Sequence, residues 1–548
     1  LTPPAATEQK FVGLIAVFDQ GSNYVALRAA VSSGTYTVDW GDGSSPVTVT
    51  SNTTAQYNYS YSSLGSATLS SRGYRQAIVT VTPTTAGATF SLFGLNYLHS
   101  ARTVTSTVAT WLDVAVSAPN ATTLRLGGTD SGGTSAVLLN FLEQATVVAH
   151  NTTTMASMFR NCRELQSVPL FNTASVTDMS NMFNGCVSLQ TVPLFNTAAV
   201  TGMGSMFSNC VSLQTVPLFN TAAVTGMGSM FLLCRSLQSV PLFNTASVTS
   251  MSNMFDLCSS LQTVPLFNTA AVTNMQSMFS NCNSLQTVPL FNTAAVTNMQ
   301  SMFNGCQALQ SVPLFNTAAV TDMGTMFQNC VSLQTVPLFN TASVTAMNTM
   351  FSGCTSLQSV PLFNTTAVVS MQNMFSSCTS LREIPELTMS AITFASNNGM
   401  ALTNSFTLGK AKLTGMRWTQ SFSGCNMAAA QLDEMYTALD KLNPNVTNVT
   451  ATGTVVTYTV DDITAFVAGR TVTITGVSPA AYNLTNVTVA TVSVANSRFT
   501  VNNAATGTYV SGGVAALQDN RTITVTGNPG TTGDDPTIAT NKGWTVTG

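Results

Sequence analysis

Charge is scarce in this chain. Only 7% of its 548 residues are Asp, Glu, Lys or Arg, and the formal net charge is -3, so no basic field exists to hold nucleic acid or an anionic membrane surface. Nucleic acid is excluded as a partner on that ground. Thr, Ser, Asn or Gly interrupts the apolar residues every few positions, and no run approaches the ~18 residues that crossing a bilayer requires. Membrane insertion is therefore not expected. The chain opens at Leu1 without Met and without a basic and apolar leader-like start, which fits a processed or truncated N-terminus. At this length the usual prior gives roughly three or four domains.

The residues of chemistry are also few. His99 and His150 are the only histidines, far apart, and neither lies near a patterned Ser, Cys or carboxylate that would suggest a triad. The glycine-rich strings lack the Lys and the strand-to-helix context of a phosphate loop or dinucleotide site, so they read as turns. Asp39 and Asp42 bracket a turn and could hold Ca²⁺ with backbone carbonyls, but hard-cation sites recruit more oxygen ligands than two. Turn chemistry is the preferred reading there, and for Asp534 and Asp535 as well. No enzyme activity, cofactor or metal is expected.

What the chain does have is a ruler of cysteines. Cys162, Cys186, Cys210, Cys234, Cys258, Cys282, Cys306, Cys330, Cys354 and Cys378 each follow the last by 24 residues, a period of repeat architectures rather than of disulfide frameworks. Within one repeat, Met227, Met230, Phe231 and Cys234 stand at i, i+3, i+4 and i+7, which predicts a short amphipathic helix. Leu213, Val216 and Leu218 are spaced as inward residues of a short strand, and Asn220 follows where its amide can satisfy the backbone of a bend. Stacked strands would lie ~4.8 Å apart, and no repeat could bury its apolar face alone, so the ends need caps. Val137 to Leu142 fits the first cap. Leu381, Ile384 and Pro385 begin a degenerate coil; Trp418, Phe422 and Cys425 give a last imperfect copy; and Met427 to Leu442, with Leu432, Met435 and Leu439 on one stripe, reads as a closing helix.

The units Met-Phe-x-x-Cys-x-x-Leu-x-x-Val-Pro-Leu, followed by Asn-Thr-x-x-Val-Thr-x-Met, resemble the BspA-type leucine-rich repeats of the variant called DUF285, over about residues 150 to 430. That family occurs on bacterial surface proteins and in bacteriophage virion proteins, so the resemblance implies structural or adhesive roles without a shared enzyme activity. Pro217 and its equivalents depart from the commoner forms, since proline cannot donate to a sheet ladder.

The flanks read as β structure. Tyr36 to Ser44, with Trp40-Gly41-Asp42-Gly43, then Tyr57, Tyr59 and Tyr61 and the closing Val79-Thr80-Val81, follow as strand, tight turn and strand. They resemble a PKD-like immunoglobulin-type sandwich. Residues 96 to 150, including Trp111 to Val116, are β-rich without assignable strands. Residues 445 to 515 are dense in Val and Thr with Gly and Asn turns, and Arg521 to Gly527 reads as a final strand returning to the repeats. The strings Val472 to Val477, Phe499 to Val501 and Gly507 to Gly513 are similar to small β modules of phage tail and fibre proteins, and the ending, Gly527 to Gly530 and on to Gly543 to Gly548, is similar to ends of phage repeat proteins.

The expected fold class is an α/β repeat solenoid of leucine-rich-repeat type, its 24-residue coils carrying a parallel sheet and short helices, flanked by all-β domains. The organisation is an N-terminal linker (1–10), a PKD/immunoglobulin-like sandwich (11–95), a β-rich linker and N-terminal cap (96–150), the solenoid with its capping helix (151–444), an inserted β domain (445–515) and a terminal strand or cap (516–548).

Aligned thiols one repeat apart could fall within disulfide reach, and a metal array is conceivable. A buried thiol also behaves as a small hydrophobe, and the repeats lack His or carboxylate partners, so the ten cysteines read as a structural core ladder, with the Met and Phe columns beside them. Positions such as Arg163, Val187, Arg235, Asn283, Gln307 and Thr355 vary between repeats, whereas Gln190, Gln214, Gln262, Gln286 and Gln334 recur nearly unchanged. A uniform column suits a repetitive glycan, packing against another subunit, or no partner at all; on the hypothesis of a partner, these glutamines are the candidate binding face. The functional expectation is a non-enzymatic phage virion fibre or appendage component supporting host-surface recognition. Its expected partners are other virion or surface-assembly proteins, a host-surface glycan or protein, and further copies of itself in a homo-oligomer. The alternative is a secreted or cell-surface glycoprotein adhesin or filament subunit, for which Asn-x-Ser/Thr tripeptides such as those at Asn120 and Asn364 would accept glycans.

Overall fold

The computed structural model describes the chain except for residues 20–22, 102–105, 130–135, 389–407, 409, 415–419, 422–424, 426, 438, 440–443, 467, 504–507, 518–521, 525–528, 533 and 548. It divides into two compact units, Leu1–Val296 and Thr297–Gly548.

In the N-terminal unit, alternation of apolar residues with Thr and Ser builds two main sheets. One runs in the order Gln144–Ala149, Trp111–Ser117, Lys10–Val17, Arg75–Pro83, Thr35–Asp39, Val47–Thr50, and the other Thr123–Arg125, Phe90–Gly94, Asn23–Val31, Thr54–Tyr59. Residues 96–150 thus supply two strands of the larger sheet, and Gln144–Ala149 forms its edge. Phe11 of one sheet stacks on Phe93 of the other at 4.5 Å and meets Trp111 edge-on at 5.5 Å, and all three are fully buried. Gly13 lies under that indole, where a Cβ would come within 2.4 Å of Trp111. In the expected cap Val137–Leu142, Leu139 and Leu142 are buried; the side chains of Val137 and Leu138 lie outside the described residues.

The repeats of this unit bury the side chains that the spacing picks out. Val200, Met203, Met206, Phe207, Cys210 and Leu213 are all at 0% exposure. Their backbone, however, is not the expected helix. Met206 donates to Met203, Ser208 to Ser205 and Cys210 to Phe207 as separate three-residue-back turns, and Ser205 and Asn209 sit at φ +55° and +59°, a left-handed conformation foreign to an α-helix. The N–H groups of Met203, Ser205, Phe207 and Asn209 reach instead to the carbonyls of Gly226, Gly228, Met230 and Leu232 in the following repeat, at 2.6 to 3.4 Å. A four-residue turn and a helical turn of about 3.6 residues carry i, i+3, i+4 and i+7 to the same side, so the burial pattern was legible and the backbone was not.

The expected parallel sheet is also replaced. Successive repeats here meet through isolated parallel bridges such as Gly202 to Gly226 and Gly226 to Ser250, placed just before the Met pair and not in the Leu-x-x-Val-Pro-Leu segment. The chain is a repeat-type fold, mostly β with few helices; the α-helices among the described residues are Ala429–Thr437 and Thr537–Thr540, both outside the repeats.

The second left-handed position of each repeat, just before the cysteine, is occupied by Asn161, Gly185, Asn209 and Asn281, but also by Leu233 and Leu257, both at φ +63°. A branched L-residue there costs roughly 1–2 kcal/mol, whereas Gly and Asn tolerate it. Leu233→Gly and Leu257→Asn are each expected to stabilise the unit by about 1 kcal/mol. A rise in the denaturant midpoint checks this, and a fall would mean that the half-buried leucine packs for more than its backbone strain.

In the C-terminal unit, four more repeats carry the same turns and stacks, with Phe303, Phe327, Phe351 and Phe375 5.6 to 5.7 Å apart in series. Leu381 and Ile384 are buried at the start of the degenerate coil, where Glu383–Thr388 pairs in parallel with Lys410–Thr414. Cys425 is buried, while Trp418 and Phe422 lie outside the described residues. The closing helix is shorter than expected, Ala429–Thr437, with Leu432 and Met435 buried along it and Leu439 buried beyond its end; Leu442 lies outside the described residues. A six-stranded sheet follows in the order Val446–Thr452, Val455–Val460, Arg498–Asn502, Leu484–Ser493, Thr471–Thr475, Val514–Leu517. Thr522–Thr524 then pairs in parallel with Gln420–Ser421 and Thr545–Thr547, so the chain after this sheet runs beside the segment before it. Arg521 and Val525 to Gly527 lie outside the described residues.

Candidate interaction surface

The segment Leu-Gln-x-Val-Pro-Leu-Phe-Asn-Thr carries the features most apt for contact. In the repeat from Leu189, Leu189 is buried and Val192 nearly so, as inward strand residues should be. The next step breaks alternation, because Phe195 donates to the carbonyl of Pro193 at 3.0 Å, a tight three-residue turn centred on Leu194. Phe195 goes inward and Leu194 outward. The equivalent Leu218, which its spacing assigns to the core, is 58% exposed, and Phe219 takes its place at 2%. Leu170, Leu194, Leu242, Leu266 and Leu290 share the outward position at 59 to 66% exposure, and Leu314, Leu338 and Leu362 do so in the C-terminal unit. Two consecutive apolar residues after proline were the available signal that alternation could not hold.

The candidate glutamines Gln190, Gln214, Gln262 and Gln286, and Gln334 of the C-terminal unit, are exposed. Their backbones are engaged: Gln190 donates to Gln166 at 3.0 Å and Gln262 to Gln238 at 3.2 Å. Between the Leu and Thr of this segment no repeat of the N-terminal unit places a charged residue. The row begins in a groove of about 550 Å³ walled by edge-strand residues Thr146 and Val148 together with Pro169, Leu170 and Leu194.

Behind this face, two polar columns bind repeat to repeat. Thr197 and Thr221 are buried, and their hydroxyls donate to the carbonyls of Asn220 and Asn244 at 2.8 Å, while Asn196 and Asn220 accept the N–H two residues on. The ladder cysteines are buried thiols. Their thiols donate backwards: Cys210 to Phe183 at 3.1 Å and Cys234 to Phe207 at 3.0 Å, so sulfur here is a hydrogen-bond peg as well as an apolar filler. Burial pushes the Cys210 thiol well above its ordinary range and Cys234 up to about 12, which keeps both protonated and poorly nucleophilic.

The other candidates are held locally. His99 Nδ1 accepts the Ala101 N–H and its ring lies 4.5 Å from Tyr24. His150 Nδ1 accepts the Thr152 N–H at 3.2 Å, and burial lowers its pKa. Asp39 accepts the Gly41 N–H, and Asp42 accepts from Ser44 and from the Tyr57 hydroxyl. Burial pushes the Asp42 carboxyl upward, but those hydrogen bonds outweigh it and the pKa is lowered. Asp534 accepts from Tyr436 at 2.8 Å, and Asp535 from Thr537. These carboxylates serve turns and tertiary contacts. No group of three or more metal-ligating side chains occurs among the described residues, and none of their helices is long and apolar enough to cross a membrane.

A family profile described as "Mycoplasma protein of unknown function, DUF285" matches residues 153–263, 214–312 and 307–400, less than half of the chain. No curated protein matches it in sequence. Among solved structures, a leucine-rich repeat protein from Eubacterium ventriosum is 14% identical with a TM-score of 0.31, over 62% of this chain and 92% of that one. The functional domain of InlJ from Listeria monocytogenes, which includes a cysteine ladder, is 11% identical with a TM-score of 0.20, over 67% and 81%. TLR13 in its complex with ssRNA13 is 14% identical with a TM-score of 0.22; the match covers 55% of this chain and 46% of TLR13, so the chain spans under half of that relative's length. The profile match supports a leucine-rich-repeat, BspA-type character for the repeat region.

Proposed function

We propose that this chain is a non-enzymatic structural and adhesion protein, a component of a phage virion fibre or appendage, whose repeats stack as a leucine-rich-repeat solenoid and support recognition of the host surface. The observation that carries the reading is the uniform outward glutamine column, Gln190, Gln214, Gln262 and Gln286. A face that repeats its chemistry in every unit fits a ligand that repeats its own, such as a surface polysaccharide. The DUF285 match, the low charge and the Thr-rich β modules at both ends favour the same class. The terminal β structure suits attachment to other appendage proteins.

Binding of the full chain to a glycan array tests the recognition half. A single net hydrogen bond is worth about 0.5–1.5 kcal/mol, so replacing Gln190, Gln214, Gln262 and Gln286 with Ala together is expected to weaken glycan binding at least about tenfold, with the circular dichroism spectrum unchanged. Equal binding by this variant would remove the glutamines from the face. Mass spectrometry of purified particles tests the setting, and recovery of the chain only from a cell envelope would replace the virion reading with a cell-surface adhesin.

A further inference from the structure

Leucine on a protein surface is unremarkable when solitary. Here Leu170, Leu194, Leu218, Leu242, Leu266 and Leu290 occupy the same outward position in six consecutive repeats at 58 to 66% exposure. Consecutive repeats of the N-terminal unit are hydrogen-bonded to one another by parallel bridges 24 residues apart, so equivalent side chains in neighbouring repeats stand roughly 5 Å apart. At that spacing the leucines line up as one apolar ridge. We infer that this leucine row is a self-association seam whose occupant is the same row of a second copy of this chain.

Size, period and chemistry favour that occupant. Six leucines so exposed present roughly 600 Å² of apolar surface, at the top of the range for the largest patch on an ordinary monomer. With the flanking Pro side chains the face approaches the ~800 Å² per partner of a stable interface. A rigid partner must match a short, strictly repeated spacing along its whole length, and a second copy does so without adjustment. The row and its flanks are uncharged, so two copies meet without like-charge repulsion. A glycan would want aromatic faces or dense hydrogen bonding, and a leucine ridge supplies neither. An anionic membrane would want a basic rim, which the Leu-Gln-x-Val-Pro-Leu-Phe-Asn-Thr segments lack. Two copies related by a two-fold axis would interdigitate Leu218, Leu242 and Leu266 near the centre of the contact, each row filling the gaps of the other.

The proposal rests on reading the repeats as a scaffold, and it adds the partner. Sedimentation equilibrium of the full chain at micromolar concentration is expected to show a dimer. The triple variant Leu218→Glu, Leu242→Glu, Leu266→Glu is expected to raise the dissociation constant at least about 100-fold, because three carboxylates would have to be desolvated against their mates. The circular dichroism spectrum should be unchanged, since these side chains contribute little to the monomer core. As a second readout, Leu242→Cys is expected to give a disulfide-linked dimer on a non-reducing gel, the native thiols being buried. A wild-type chain that stays monomeric to ~100 μM, or a triple-Glu variant that associates as tightly as wild type, overturns the proposal. So does a monomer that binds neutral liposomes in a leucine-dependent way, which would assign the row to lipid. None of these outcomes bears on particle incorporation or on the Gln→Ala glycan result, so the two readings fail separately.

Discussion

Raising the pH above 9 is expected to unfold the repeats of the N-terminal unit steeply, well before the peptide chain itself is damaged. Burial raises the pKa of Cys162, Cys186, Cys210, Cys234 and Cys258 above the ordinary thiol value. In the unfolded chain these thiols ionise near 8.5 to 9, while the folded chain keeps its protons, so the unfolded state is the one that gains as pH rises. The stabilisation is complete below that unfolded value and is lost progressively toward pH 12, the level reached by Cys234. Each thiol contributes about 1.4 kcal/mol per pH unit once its unfolded form is ionised, and five together give a slope of roughly 7 kcal/mol per unit. Domain stabilities are ~5–15 kcal/mol, so the transition should fall near pH 10 to 11. Buried tyrosines such as Tyr36, pushed up to about 12 by burial, act in the same direction. Denaturant midpoints measured between pH 7 and 11 would show the slope. Cys210→Val and Cys234→Val should flatten it by about 1.4 kcal/mol per unit each, and an unchanged slope in those variants would exclude the thiols as its cause.

The aromatic stack supplies the second large effect. Phe255 lies flat between Phe231 at 5.6 Å and Phe279 at 5.7 Å, with Phe267 at 6.3 Å, and the interplanar angles are 7°, 1° and 13°. Phe255→Ala removes a fully buried ring and its contacts to both neighbouring repeats, so a loss of ~3–5 kcal/mol is expected. Stability in a repeat array resides largely in the interfaces between neighbours, and the lesion should therefore divide the melt. Urea unfolding of the variant is expected to show a transition at lower denaturant that the wild type lacks. Leu266→Ala, only eleven positions along, removes an exposed side chain and should change the stability of the monomer by no more than ~0.5 kcal/mol. Similar losses for the two substitutions would mean that inward and outward positions are confused.

The contrast between Phe255 and Leu266 also marks how far sequence reasoning reached. The cysteine interval and the Met, Phe and Cys spacing located the buried columns, because burial depends on which side of the chain a residue faces. They did not distinguish a helix from a series of turns, since both face the same way every three or four residues. The deciding clue was present in Asn161, Gly185 and Asn209: residues tolerant of left-handed backbone stand just before the cysteine, where a helix interior would disfavour them. Leu218 was misplaced because strand alternation was carried through a proline, and the turn from Pro217 to Phe219 reverses it. The glutamine column was legible as a repeated polar position. The leucine row beside it was not, because apolar character alone says nothing about exposure where the backbone bends.

The bonds linking repeats have a consequence for the gene. Thr197 donates to Asn220 as Thr221 donates to Asn244, and the thiol of Cys210 meets Phe183 as that of Cys234 meets Phe207. Each repeat thus meets its successor with the same donors and acceptors with which its predecessor met it. Excision or duplication of one whole 24-residue segment rejoins identical partners, whereas a shift of even one residue leaves every peg without its socket. Unequal crossing-over between near-identical stretches of coding DNA can therefore lengthen or shorten the array in whole steps, and the reach of the protein becomes a heritable quantity adjusted by copy number.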